Sequence, residues 1–167
     1  TRSRLSPSDP RSEVYGALGL RWVAGTGSGF LAAEGGIVVT NYHVAGEAEA
    51  VEVRLRDGRS FSPVKRLAQD KARDLTVLGI DAKDLPIAPL APDEAISTGM
   101  RSIAIGSPLG MEYSVTDGII SAVRDMQGTT FLQMQTTIAP GSSGGPLFDT
   151  RGRVIGVNTG TRGAGLN

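Results

Sequence analysis

Apolar positions along this chain recur with a period of two far more than with the period of a helix. Val51, Val53 and Leu55 alternate with Glu52, Arg54 and Arg56, which predicts a strand with one buried and one wet face. Leu18, Leu20 and Trp22 alternate in the same way. Phe30-Leu31-Ala32 and Ile37-Val38-Val39-Thr40 flank Glu34-Gly35-Gly36, a hairpin pattern. Asp57-Gly58 signals another hairpin, followed by predicted strands at 61–67 and 75–80. A second set of strands is predicted at 102–105, 114–116, 119–123, 131–135, 146–148 and 154–157, with Asp149-Thr150-Arg151-Gly152 turning the last pair. Arg124 to Thr130 is polar and rich in turn formers, and reads as a loop. Many short strands with regular turns and almost no helical periodicity predict an all-β barrel class.

Breaks in this pattern set the organisation. Residues 1–12 are polar, carry Pro7 and Pro10, and read as a loose N-terminal tail. Residues 13–167 read as the folded part. Within it Pro86, Pro89 and Pro92 bar a helix or a central strand, which marks 81–99 as a linker. The strand sets on either side, about 24–80 and about 100–167, suggest two barrels. At 167 residues the chain is long enough to bury a substantial core.

Charge and composition narrow the chemistry. The formal net charge is zero with both signs spread along the chain, which argues against a nucleic-acid partner. With no cysteine there is no disulfide framework. With a single histidine and no thiol, a metal site would rest on carboxylates almost alone, so neither metal nor cofactor is expected. No apolar run approaches the roughly 20 residues of a membrane-spanning helix. No leader is visible, and the first residue is Thr1 rather than Met, consistent with a removed leader or anchor. Gly25-Thr26-Gly27-Ser28-Gly29 looks superficially like a phosphate loop. No Gly-Lys-Ser/Thr follows it and it leads into a strand, so it reads as the start of that strand.

The run Pro140-Gly141-Ser142-Ser143-Gly144-Gly145-Pro146 sets serine in a tight glycine turn between apolar segments. A serine hydroxyl becomes a nucleophile when it projects into space and a base takes its proton. Glycines there let backbone N–H groups turn toward a developing oxyanion. His43, directly after an apolar strand, is the one imidazole able to act as that base. Asp74 stands between them in Arg73-Asp74-Leu75-Thr76-Val77-Leu78. Asp70 competes with it, but the apolar strand begins directly after Asp74, which places Asp74 at a strand mouth beside the histidine. His, Asp and Ser in that chain order form one of the known acyl-transfer orders. Ser142 is the rival nucleophile.

Gly27-Ser28-Gly29-Phe30, Asn41-Tyr42-His43-Val44, Asp74-Leu75, Ala104-Ile105-Gly106-Ser107-Pro108, Thr116-Asp117-Gly118-Ile119-Ile120-Ser121 and Gly156-Val157-Asn158-Thr159 stand in one order around these residues. Together they resemble the trypsin-like serine proteases of the HtrA/Deg (high-temperature requirement) branch, over most of the chain. The resemblance implies two six-stranded-type β-barrels of the trypsin/chymotrypsin fold, with the active site between them. It implies catalytic His43, Asp74 and Ser143, the nucleophile being the serine just before Gly-Gly, and an oxyanion hole from the amides of Gly141 and Ser143. Thr137, Ile138, Val157, Asn158 and Thr159 would line the primary specificity pocket. With no acid at Thr137, that pocket should prefer small or medium apolar side chains over Lys or Arg. The implied activity is a serine endopeptidase cleaving unfolded or exposed polypeptide in protein quality control. The implied setting is the periplasm or another extracytoplasmic space, and the implied assembly is a homotrimer. Tyr15, Leu18 and Trp22 are equally candidates for a trimer contact and for the core. Relatives continue past Ala164-Gly165-Leu166-Asn167 into another strand and often a peptide-binding PDZ domain, so the C-terminal end reads as truncated. The alternative is a protease-fold binding or chaperone module that is inactive in this form.

Overall fold

Burial alternates along several short segments such as 37–40, 51–54 and 75–79, and the strands of the described residues form three antiparallel sheets. The fold is known from a computed structural model, which describes residues 2–3, 25–107, 113–126, 128–135 and 141–159. The strands are β1 Arg2–Ser3, β2 Gly25–Thr26, β3 Phe30–Ala33, β4 Ile37–Asn41, β5 Val51–Arg54, β6 Ser60–Phe61, β7 Lys65–Asp70 and β8 Leu75–Gly79. They continue as β9 Arg101–Gly106, β10 Ser114–Met126, β11 Thr129–Met134, β12 Pro146–Asp149 and β13 Val154–Val157. Among the described residues there are also one helical turn, α1 Tyr42–Ala45, and a 3-10 turn at Asp93–Ala95. The sheets run β2-β1-β5-β6, β3-β4-β8-β7 and β11-β10-β9-β12-β13.

Two hydrophobic cores follow from the inward faces. Val38, Val51, Val53, Leu78 and Ile80 form one, with Leu31, Phe61 and Val64 packed against it. Ala104, Ile120, Leu147 and Ile155 form the other, with Ile96, Met100 and Leu132 around it. The face shared by β4 and β8 changes character along its length. Val38 stands opposite Leu78 in the apolar core, and two residues on Thr40 stands opposite Thr76, both fully buried. The core thus ends in hydroxyls, and this polar end is where the candidate chemistry sits.

The segment between the two cores is strapped to both. Ala88 N–H donates to Leu31 C=O. Leu90 makes a parallel bridge with Val154, flanked by Ala91 N–H to Val154 C=O and Val154 N–H to Pro89 C=O. Prolines at 86, 89 and 92 leave this segment only isolated backbone bonds, not a strand.

The sequence pattern and the structure differ at four places. Arg2–Ser3, inside the segment read as a loose tail, pairs with both Gly25–Thr26 and Val51–Glu52, whose backbone groups need partners. The strand expected over 61–67 is interrupted at Pro63, which offers no N–H, so β6 ends at Phe61 and β7 begins at Lys65. The strands expected at 114–116 and 119–123 are one, β10, with a bulge between Ile120 and Ala122. The predicted loop at 124–130 is a continuation of the β10–β11 hairpin: Arg124 pairs Phe131, Asp125 pairs Thr130 and Met126 pairs Thr129. Arg124 also bonds the Gln133 side chain across that pair, so polar side chains there supply cross-strand contacts. Tyr15, Leu18 and Trp22 lie outside the described residues.

Candidate functional site

Asn41, Tyr42 and His43 leave β4 directly into α1, and Asp74 sits immediately before β8, the strand paired with β4. That pairing fixes the approach of His43 to Asp74. The Asp74 carbonyl accepts from Tyr42 N–H at 2.9 Å and from Asn41 Nδ2 at 3.0 Å. Its carboxylate then faces His43 twice: Oδ1 accepts the His43 backbone N–H at 2.9 Å, and Oδ2 meets Nδ1 at 2.7 Å. Asp74 adopts φ +56°, a left-handed conformation that Asp tolerates better than most side chains.

Burial pushes the Asp74 carboxyl up. The hydrogen bonds from the His43 amide and ring and from Thr159 outweigh it, leaving the group below its ordinary value. An ionised carboxylate at Nδ1 makes that nitrogen the donor, so Nε2 is the nitrogen left to accept a proton. The two side chains differ in access: Asp74 is 12% exposed and His43 50%.

The Ser143 turn comes from the other core. Gly144 takes φ +87°, and the Ser28 carbonyl and Thr40 hydroxyl lie against it with no room for a side chain. Gly144 N–H donates to Asn158 C=O and Asn158 N–H to Gly145 C=O, both at 2.8 Å, extending the β12–β13 pairing to the turn. Gly145 N–H bonds Ser142 C=O, and Ser28 N–H bonds Ser143 C=O at 2.8 Å. Gly141, at φ +94°, uses a conformation that glycine supplies without strain. The two adjacent serines differ. Ser142 is buried at 5% exposure with its side chain against Gly106, whereas Ser143 is only partly buried. Burial agrees with the motif in favouring Ser143 as the accessible hydroxyl.

Thr159 joins the two halves of the site. Its hydroxyl donates to Asp74 Oδ2 at 2.9 Å, the same oxygen that meets His43 Nδ1. The sequence reading gave Thr159 only to the specificity pocket, and no local pattern signals a contact 85 residues away. Val157 ends β13, and Asn158 is buried with Nδ2 on Pro146 C=O at 3.2 Å and Ile105 C=O at 3.4 Å. The Asn158 side chain is thus committed to structure behind the turn. Thr137 and Ile138 lie outside the described residues. Among the described residues no group of three or more His, Cys, Asp or Glu converges as a metal site would, and no helix is long and apolar enough to cross a membrane.

A family model described as a trypsin-like peptidase domain matches residues 27–157. A probable periplasmic serine endoprotease DegP-like from Hahella chejuensis is 40% identical over 151 residues, covering 88% of this chain and 32% of the relative. The chain spans about a third of the length of such DegP-like relatives. Among solved structures, the HtrA-type protease AlgW with a decapeptide is similar with a TM-score of 0.78 and 39% identity, over 86% of this chain and 46% of that one. The structure of Deg5 is similar with a TM-score of 0.70 and 34% identity, over 82% of this chain and 75% of that one.

Proposed function

The chain belongs to the trypsin-like peptidase family, in its HtrA/Deg branch, and from that premise we propose that it is a serine endopeptidase working through Ser143, His43 and Asp74. The observation that carries the reading is the Asp74 carboxylate. It is held by His43 from one side and by Thr159, from the half that carries Ser143, on the other.

In this mechanism Ser143 Oγ bonds to the carbonyl carbon of a peptide while its proton passes to His43 Nε2. Asp74 keeps the imidazole in the required tautomer and stabilises the imidazolium. The N–H groups of Gly141 and Ser143 hold the oxyanion. The C–N bond then breaks, and the leaving amine takes the proton from His43, giving an acyl-enzyme. Water adds to the acyl carbon in a second round, His43 again moving the proton, and Ser143 is released with the new carboxylate.

Substrates are unfolded or exposed polypeptide segments, cut after small or medium aliphatic residues such as Val, Ala or Ile. A Lys or Arg head in a pocket without an acid at Thr137 would be desolvated without a partner. Separate cores on the two sides of the strapped segment support a first barrel at about 24–80, a linker at 81–99 and a second barrel at about 100–167. The names of the DegP-like relatives support a periplasmic or other extracytoplasmic setting. A part in protein quality control, a homotrimer as the working unit and a possible PDZ domain in the whole protein are what the family resemblance implies.

A fluorophosphonate probe and mass spectrometry test the reading. The expected result is one label on Ser143, with unfolded casein cut after aliphatic residues. An unlabelled Ser143 in a folded protein that leaves casein intact would favour a binding or chaperone module on the same fold. Dominant cuts after Lys or Arg would overturn the pocket assignment.

A further inference from the structure

Every polar group of Ser28 is hydrogen-bonded, and both of its donors go to the nucleophile turn. Its N–H donates to Ser143 C=O at 2.8 Å, and its C=O accepts from Thr40 Oγ1 at 2.7 Å. Its hydroxyl donates to Gly141 C=O at 2.7 Å and accepts from Ser107 N–H at 2.8 Å. The side chain is 6% exposed, so water does not compete for these bonds.

We propose that Ser28 is a positioning residue that locks the oxyanion turn, its hydroxyl fixing the Gly141–Ser142 peptide plane from behind. Three consecutive peptide planes make up the turn. Ser142–Ser143 is held by Gly145 N–H on Ser142 C=O, and Ser143–Gly144 by Ser28 N–H and by Gly144 N–H on Asn158 C=O. The plane between Gly141 and Ser142 is held by the Ser28 hydroxyl. Gly141 is also the residue whose backbone rotates at least cost, because it lacks a Cβ. The Gly141 N–H assigned above to the oxyanion belongs to the preceding plane, which hinges on the Gly141–Ser142 plane at the Gly141 Cα, so without the Ser28 hydroxyl it loses the fixed base on which it is aimed. The hydroxyl has a fixed orientation because Ser107 N–H, at the end of β9, occupies its lone pair and directs its proton to Gly141. β9 and the Gly27–Gly29 segment are therefore wired to the turn through one oxygen.

This inference rests on the proposed endopeptidase reading, and the experiment separates the two. Ser28→Ala and Ser28→Cys are made in the full-length protein and assayed well below the unfolding midpoint. Ala removes both side-chain bonds. Cys keeps the shape with a weak donor and acceptor. A peptide boronate adds to Ser143 Oγ and puts a boron-bound hydroxyl where the oxyanion forms, so its affinity reports the turn directly. For Ser28→Ala we expect kcat to fall about tenfold, less than the loss on deleting a donor outright. KM should stay within about twofold and boronate affinity should fall in step with kcat. Ser28→Cys should lie between Ala and the parent. Parental kcat and boronate affinity in folded Ser28→Ala would overturn the proposal, as would a fall in kcat with boronate affinity unchanged. If Ser28→Ala does not fold, Ser28→Cys decides by the same two readouts, and failure of both to fold would show a folding residue instead. If the parent protein neither takes a fluorophosphonate label nor cleaves casein, the endopeptidase reading fails, and the Ser28 role falls with it.

Discussion

Among the described residues two carboxylates are buried, and they are satisfied in opposite ways. Asp149, at the end of β12, accepts from Arg151 N–H, Arg153 N–H and Arg153 Nε, all within its own turn. Burial raises its pKa, and the bonds from Arg153 and Arg151 more than reverse that, as at Asp74. A fixed guanidinium neutralises Asp149, and its role ends with the turn it closes. Asp74 instead draws its partners from 31 and 85 residues away, and one of them is an imidazole ring, the side chain suited to moving a proton in general acid–base chemistry. A lowered carboxyl pKa does not distinguish a structural acid from a chemical one. What distinguishes them is whether the partner can change state, and whether it is open to a substrate. Arg153 offers only a guanidinium donor, whereas His43 is half-exposed and keeps a second ring nitrogen for acid–base chemistry.

Activity should split the two sites most widely. Ser143→Ala is expected to lower casein cleavage at least ~10⁴-fold, and Asp74→Asn by about 10³–10⁴-fold through the wrong imidazole tautomer. Asp149→Asn should keep near-parental turnover below its own unfolding midpoint, and Ser142→Ala most of it. Equal losses in Asp74→Asn and Asp149→Asn would erase the contrast.

Stability should reverse the ranking. Asp149→Asn keeps an acceptor for the Arg151 and Arg153 amides but sets an N–H against the Arg153 guanidinium, and is expected to cost roughly 2 kcal/mol by urea unfolding. Asp74→Asn keeps an acceptor for the His43 amide and should cost less. A larger loss at Asp74 would mean that it is mainly a structural group.

Acid should weaken both contributions in the same direction. A carboxyl with a lower pKa folded than unfolded binds fewer protons in the native state, so its stabilisation is complete above the unfolded value. For Asp74 and Asp149 that value is near the ordinary 3.8, and the stabilisation is lost as pH falls through the depressed folded values below it. Urea midpoints from pH 7 to pH 2 should fall below about pH 4, and each Asn variant should flatten its share of the drop. A midpoint that rises toward acid would refute the assigned directions. The smallest effect is expected at Thr159. Thr159→Val should lower kcat/KM several-fold by freeing Asp74 Oδ2, and Thr159→Ser should restore it.

What the sequence made legible was local. Period-two runs such as Val51/Val53 and the Gly35-Gly36 turn report burial and backbone conformation from neighbouring residues alone. The motif order put His43, Asp74 and Ser143 in view because each is flanked by its own strand or glycines. Pairing across distance was not legible. A two-residue strand such as β1 has no period to detect, and four-residue α1 is too short for helical periodicity. The merging of two predicted strands into β10 depends on the register with β9 and β11, not on residues within the run. Thr159 and Ser28 showed the same limit. Each reads as a small polar residue near a motif, and its function lies in an acceptor supplied by a distant part of the chain.

The strap at Ala88 and Leu90 sets a mechanical bound on the whole molecule. Ala88 is bonded to the strand bearing Leu31, and Ala91 is bonded to Val154. Three residue steps separate these anchors, a reach of roughly 10 Å even when fully extended. The two halves therefore cannot draw apart at the strap while those backbone bonds persist, and any relative movement of theirs is a rotation about it.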